Sequence, residues 1–244
     1  PDYTGIGEKI KTSNNSEFFV MPGSKISVQA QLNKPVKTAA LWFKNREKLP
    51  LTIQQNKLYG EFQITKPDQY RFILTDINGI QNINPIDYKV KINPDNYPVA
   101  NLLSPSNDFQ LSEQMTIPLL LRISDDFGFT KAFIHYRLLK KFGERNNEER
   151  DLVFPMENKQ VTFQEISYEW AVDNLGLSPE DGVEFYVEVF DNDTILGPKK
   201  TTTNKISAFF PSLNDMFSRV DKQQEEVQDA GTEILEKLHS SKEV

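Results

Sequence analysis

The stretch from Met115 to Leu139 reads MTIPLLLRISDDFGFTKAFIHYRLL, and its alternation decides the fold. Met115, Ile117, Leu119, Leu121 and Ile123 alternate with Thr116, Pro118, Leu120 and Arg122, a period of two rather than about 3.6 residues. After the turn Ser124-Asp125-Asp126-Phe127-Gly128, Ala132, Ile134, Tyr136 and Leu138 alternate with Phe133, His135 and Arg137. Short polar residues and a glycine suit that turn. The pattern is strand, tight acidic turn, strand, and it predicts the central pair of a β-sandwich. Pro118 removes a ladder donor, which predicts an edge position or a bulge there.

Working outward, residues 1–93 carry short alternating runs separated by turn residues. They are Phe18–Val20, Ile26–Leu32, Ala40–Phe43, Leu58–Ile64, Tyr70–Leu74 and Ile86–Ile92, at the spacing of a meandering or Greek-key sheet. Trp42 falls where immunoglobulin-like sandwiches place a core aromatic on strand C, and Tyr70 falls near the entry to strand F. Asn93-Pro94-Asp95-Asn96-Tyr97-Pro98 is the best boundary in the chain, because two prolines hold their neighbours extended and forbid a helix. The runs Val99–Leu103, Asp151–Phe154, Val161–Trp170, Val183–Phe190 and Asn204–Phe210 repeat the sandwich logic. Phe142–Arg150 reads as a charged loop between strands. The expectation is a mainly β chain, with two tandem immunoglobulin-like β-sandwich domains over 1–95 and 96–210 and a C-terminal α-helix over 211–244.

That helix opens with Ser212-Leu-Asn-Asp215, a capping box. Leu213, Phe217, Val220, Gln224, Val227, Gly231, Ile234 and Leu238 follow in alternating four- and three-residue steps, a heptad seam with Gln224 and Gly231 as weak points. A lone helix of this length is marginal in water. Leu213, Phe217, Val220, Val227, Ile234 and Leu238 are therefore the candidate partner-binding residues, for another helix or a second copy. The bland alternative is a helix docked on the second sandwich.

Composition bounds the function. A formal charge of −7 over 244 residues argues against a nucleic-acid binder, which needs a basic face to displace counterions. Lys140-Lys141 and Lys199-Lys200 read as solvated strand ends. There is no cysteine, so disulfides and thiolate metal sites are excluded, and the chain is compatible with a bacterial export route. No window approaches the roughly 20 apolar residues of a membrane span; no membrane contact by this segment itself is expected, and any anchor lies outside it. The chain opens on Pro1 rather than Met and closes on a running helical pattern, as a piece of a longer protein would.

Candidate chemistry is thin. Asp125, Asp126, Asp191 and Asp193 lie in two acidic turns that could meet at one end of the sandwich and hold calcium, which takes about six to eight oxygen ligands. The alternative is that they form Asx-turns where strands end. His135 lies on the non-core face of its strand and His239 near the helix end. No nucleophile elbow, zinc-protease motif or phosphate loop is present, and Gly5 and Gly7 lack the helix a dinucleotide fingerprint requires. No catalytic residue and no organic cofactor is expected. Phe127 and Phe129 flank Gly128 as either partner anchors or plugs of the sandwich end, the plug being favoured for at least one.

Several pieces together resemble a bacterial family of large membrane-anchored proteins, defined as a domain of unknown function. They are Pro1-Asp2-Tyr3-Thr4-Gly5, Asp95-Asn96-Tyr97-Pro98, Ser124-Asp125-Asp126-Phe127-Gly128 followed by Tyr136, and Asp191-Asn192-Asp193 with Gly197-Pro198. The resemblance implies tandem immunoglobulin-like domains outside the cytoplasm, anchored at the inner membrane and followed by coiled-coil-prone helices. It implies no catalytic residues. The expected role is an extracytoplasmic structural or protein-interaction segment of an envelope protein. The alternative is a carbohydrate-binding or accessory module of a secreted enzyme, which would show an exposed row of Trp or Tyr.

Overall fold

The computed structural model describes residues 1–10, 16–141 and 148–218, with the single helical positions Lys222, Gln224, Val227, Gln228, Gly231 and Ile234 beyond them. The first sandwich contains β1 (Glu17–Val20), β2 (Ser24–Gln31), β3 (Val36–Phe43), β4 (Leu49–Pro50), β5 (Thr52–Gln54), β6 (Lys57–Ile64), β7 (Asp68–Asp76) and β8 (Tyr88–Ile92). One sheet runs β1-β8-β7-β3-β4 and the other β2-β6-β5, with β1 parallel to β8. The second contains β9 (Val99–Ser104), β10 (Phe109–Gln110), β11 (Thr116–Ser124), β12 (Phe129–Leu139), β13 (Arg150–Phe154), β14 (Phe163–Ala171), β15 (Gly182–Asp191), β16 (Lys200–Thr202) and β17 (Ile206–Phe209). Its sheets run β10-β17-β15-β12-β13 and β14-β11-β9, with β16 beside β15. Again the short early strand β10 lies parallel to the last strand. This strand order in both halves is that of an immunoglobulin-like sandwich.

Period-two patterning explains the burial. Ile117, Leu119, Leu121 and Ile123 on β11 face Ala132 and Ile134 on β12 across a core completed by Trp170, Phe185, Val187 and Phe154. A separate core around Leu41, Phe43, Leu58, Phe62, Tyr70 and Val90 fills the first sandwich. Burying each such side chain contributes about 1.5–3 kcal/mol.

Three expectations need correction. β11 and β12 are not hydrogen-bonded to each other: β11 lies between β14 and β9, and β12 between β13 and β15. The acidic turn is thus a corner between sheets, since both strands must present an apolar face to the same core from opposite sides. Pro118 stands in a central strand, but there it faces only β14; β9 pairs no further than Leu120, with a register irregularity between Leu120 and Leu121. The core aromatic on β3 is Phe43, 2% exposed. Trp42 is half-buried on the outer face with the Arg71 guanidinium 4.3 Å from its ring centroid, because neighbouring strand residues point to opposite faces.

Tyr70 stacks on Tyr88 at 5.2 Å within the core, and burial, with Tyr88 beside it, pushes its hydroxyl pKa up to about 12. Phe129, 2% exposed, plugs the second core. Ile86, expected in the last strand of the first sandwich, lies outside β8 and is exposed. The loop expected over Phe142–Arg150 falls in part outside the described residues.

Phe43→Ala should cost about 3–5 kcal/mol. Trp42→Ala should cost about 1 kcal/mol, chiefly its cation–π contact. Urea unfolding followed by a probe in the first sandwich distinguishes them; equal losses would place Trp42 in the core.

Candidate functional site

The turn and linker residues converge at the junction of the two sandwiches. β15 ends at Asp191, whose Oδ1 accepts hydrogen bonds from the backbone N–H groups of Asp193 (3.2 Å) and Lys199 (2.8 Å). Asp193 Oδ1 in turn accepts from Ile195 and Leu196 N–H at 2.8 and 3.0 Å. These Asx-type bonds fold residues 191–199 into a loop that returns Lys199 over its own start. The Lys199 ammonium then lies 2.7 Å from Asp191, 2.9 Å from Asp95 and 3.2 Å from Asp193. Its side chain is 16% exposed, and those of the three aspartates 2% or less.

Two further segments close the node. Asp125 Oδ2 accepts from the N–H groups of Phe127 and Gly128 at 2.8 and 3.0 Å, shaping the corner between β11 and β12. Gly128 is required there: its φ is +115°, and a Cβ would lie 2.6 Å from the Lys159 carbonyl oxygen. The Asn192 side-chain amide donates to the carbonyls of Phe127 (2.7 Å) and Tyr3 (3.1 Å). Tyr3 packs edge-on to Phe127 at 5.8 Å and donates its hydroxyl to Asp95 at 3.2 Å. The opening residues of the chain thus dock on the second sandwich, past the whole of the first. Ile195 reaches the other way, its side chain set against Gly23 before β2.

Charge follows geometry. Burial opposes the Lys199 ammonium, but hydrogen bonds to Asp191, Asp95 and Asp193 outweigh it and hold its pKa well above the ordinary lysine value. Asp193 is likewise penalised by burial, yet the Leu196 and Ile195 N–H groups and Lys199 hold its pKa below the usual carboxylate range. Asp125 goes the other way: burial, reinforced by Asp191 and Asp95, raises it despite its two backbone bonds. Burial, then Asp95 and Asp193, raises the Tyr3 hydroxyl.

Of the four candidate calcium ligands, the structure brings Asp125, Asp191 and Asp193 to the node. Asp126 is exposed and instead accepts from Asn96 N–H and its side-chain amide at 3.3 and 2.7 Å. Among the described residues no group of three or more acidic or histidine side chains is arranged to hold a metal ion. Sequence reasoning missed Tyr3, Asp95, Asn192 and Lys199 as members of the node. Lys199, expected at a solvated strand end, is largely buried, and Lys140 is drawn to Asp181 with its side chain 25% exposed. Lys141 is exposed as expected, and so is Lys200, 60% exposed and 2.7 Å from Glu188. The signal available was the clustering of Asp95, Asp125 and Asp191–Asp193 in turns of one charge sign.

His135 has both ring nitrogens occupied, by Asp151 at 2.7 Å and Glu188 at 3.1 Å, and stacks on Tyr186. His239 lies outside the described residues. Ser212 and Asp215 form the expected capping box, with Asp215 N–H donating to Ser212 Oγ and Ser212 N–H to Asp215 Oδ2. Of the seam, Leu213, Phe217, Val227 and Ile234 are 57–72% exposed, whereas Val220 and Leu238 lie outside the described residues. No helix among the described residues is long and apolar enough to cross a membrane.

No family model and no curated protein matches the chain. Among solved structures it is similar to the fibronectin(III)-like modules of CbhA from Clostridium thermocellum, at 11% identity and TM-score 0.28, covering 81% of this chain and 90% of that one. An ICAM-5 D1–D4 ectodomain fragment matches at 11% identity and TM-score 0.31, over 82% and 50% of the two chains. A Ca2+-stabilized, ice-binding adhesin of an Antarctic bacterium matches at 12% identity and TM-score 0.36, over 78% and 44%. The mainly β, immunoglobulin-like architecture rests on the strand order itself.

Two substitutions separate the charges at the node. Lys199→Met leaves three buried carboxylates without their cation and should cost about 3–5 kcal/mol at pH 7. The stability that the raised Lys199 contributes is fully present below the unfolded lysine pKa and lost as pH rises through the folded value. That of Asp193 is present above the unfolded carboxylate pKa and lost as pH falls through its lowered value. Asp125, with its raised pKa, contributes in the opposite sense to Asp193, favouring the native state as pH falls. Asp125→Asn should therefore stabilise the protein at pH 7 and do nothing at pH 3. Thermal melts across pH check the signs, and a destabilised Asp125→Asn at pH 7 would reverse the reading of that carboxylate.

Proposed function

We propose that this chain is an extracytoplasmic structural segment of a bacterial envelope protein: a two-sandwich strut that presents a helical seam to a protein partner or a second copy. The observation that carries it is the Lys199 node. It ties the opening residues, the linker and the second sandwich together through buried charge, which suits a part that must transmit position. Sandwich units over 1–95 and 96–210 are supported by the two separate cores, although Tyr3 packs with residues of the second. The exposed positions Leu213, Phe217, Val227 and Ile234 support the seam, which would continue through Val220 and Leu238. The cysteine-free sequence and the family resemblance support the compartment and an inner-membrane anchor outside this segment.

Because the chain lacks cysteine, pairs of introduced cysteines on the outer faces of the two sandwiches can be spin-labelled cleanly. The expected distance distribution is narrow in the parent and broad in Lys199→Met. A broad distribution in the parent would remove the strut. Sedimentation of the chain with and without 211–244 tests the seam: weak self-association, or association with a helical partner, should vanish on truncation. A helix found folded onto the second sandwich would leave the seam without a partner role.

Calcium at the node is a second reading, favoured by the buried oxygens Asp95 Oδ1 and Asp125 Oδ1, which have no hydrogen-bond partner. An ion there competes with the ammonium, so Lys199→Met should bind calcium more tightly than the parent in calorimetry. Unchanged melting temperatures in millimolar calcium for both proteins would leave neutralisation to Lys199 alone.

A further inference from the structure

The end of the first sandwich remote from the node carries an exposed apolar tip. Between β7 and β8 the chain reads Ile77-Asn-Gly-Ile80-Gln-Asn-Ile83-Asn-Pro-Ile86, ten residues without a charge. Its four isoleucines are 69%, 61%, 84% and 63% exposed. Scattered exposed apolar residues are ordinary on a protein surface, but a run of four from one loop marks a contact site.

The loop is not loosely held. Asp76 Oδ1 accepts from Asn78 and Ile80 N–H at 3.0 and 2.9 Å, and the Asp76 N–H donates to the Ile80 carbonyl at 2.9 Å. Gly79, at φ +83°, donates to the Asp76 carbonyl. Asn82 exchanges backbone and side-chain bonds with Leu74 and donates to the Phe72 carbonyl. These backbone groups are satisfied within the protein, so the tip can leave bulk water without stranding them. Ile86 also borders an apolar groove of about 240 Å³ lined by Leu32, Leu58, Phe72, Leu74 and Tyr88, which extends the apolar surface.

The charge around the tip runs against that of the whole chain. Lys34 is 62% exposed and paired with Asp76 at 3.2 Å, and Asp87 is paired with Arg71 at 3.1 Å. Lys37 and Lys57 are exposed at the same end: Lys37 lies just inside β3, whose Val36 is opposite Asp76, and Lys57 pairs with Gln31 at the end of β2. In a chain of formal charge −7, this end is aliphatic at its apex and cationic at its flanks.

We propose that this tip is a membrane-surface contact, with the isoleucines entering the interface of a bilayer and Lys37 and Lys57 facing anionic lipid headgroups. Aliphatic insertion combined with basic flanks is the chemistry of reversible interfacial binding. A protein interface would be expected to centre on aromatic or arginine anchors, which the ten-residue run lacks. Tip-to-tip pairing of two copies would set the same lysines against each other. The contact is peripheral and needs no spanning segment. It goes beyond the strut reading and does not depend on the node.

Vesicle co-sedimentation of the full chain decides it, using phosphatidylcholine alone and phosphatidylcholine with phosphatidylglycerol, at low and high salt. The expected result is binding to the anionic vesicles, weakened by salt. Ile80→Ser with Ile83→Ser should lower the partition coefficient by about tenfold or more. Lys37→Ala with Lys57→Ala should abolish the preference for anionic lipid. Circular dichroism melts matching the parent confirm that these exposed substitutions leave the fold intact. The proposal is overturned if the parent ignores anionic vesicles at low salt, or if the isoleucine variant binds them as well as the parent. It is also overturned if that variant instead abolishes self-association in sedimentation, which would make the tip a contact between copies.

Discussion

The junction depends on one ammonium held between three carboxylates. Lys199 is delivered to its place by the loop that Asp191 and Asp193 cap, so the residues that bind the cation also build the turn that supplies it. Asp95 then adds a carboxylate from the linker. A buried ion pair is weak as a source of net stability, since desolvation offsets attraction, but removing one partner is expensive. Such a site therefore fixes geometry more than it deepens the energy well. Here the geometry fixed is that of the 191–199 loop against the linker at Asp95.

The two sandwiches solve the same packing problem with different reserves. The second has a larger core with many fully buried side chains from both sheets. The first relies on an aromatic cluster of Phe43, Phe62, Tyr70 and Tyr88, roofed by the Arg46 guanidinium 3.9 Å from the Phe43 ring centroid. Each half carries a short early strand lying parallel to its final strand, β1 on β8 and β10 on β17, so that a short strand stands at that sheet edge.

The three features lie apart along the molecule. The node lies where the sandwiches meet, the isoleucine tip at the outer end of the first, and the helix begins after β17 at Ser212.

The sequence by itself determined which face of the central strand β11 is buried. Ile117, Leu119, Leu121 and Ile123 are all 2% exposed or less, because a pleated strand exposes alternate residues to one side and the information is local. It determined the capping box at Ser212 and Asp215 for the same reason. Strand partnership was decided only in three dimensions: alternation does not say which neighbour a strand takes, so β11 and β12 read as a pair although they belong to opposite sheets. Burial of charge was decided there too. Lys199 and Lys200 are adjacent and chemically identical, and only the convergence of Asp95, Asp191 and Asp193 from distant positions buries one while the other stays in water. The exposure of Ile80 was likewise decided by the fold, where Asp76 binds its backbone N–H and carbonyl in the turn while the Ile80 side chain stays in water.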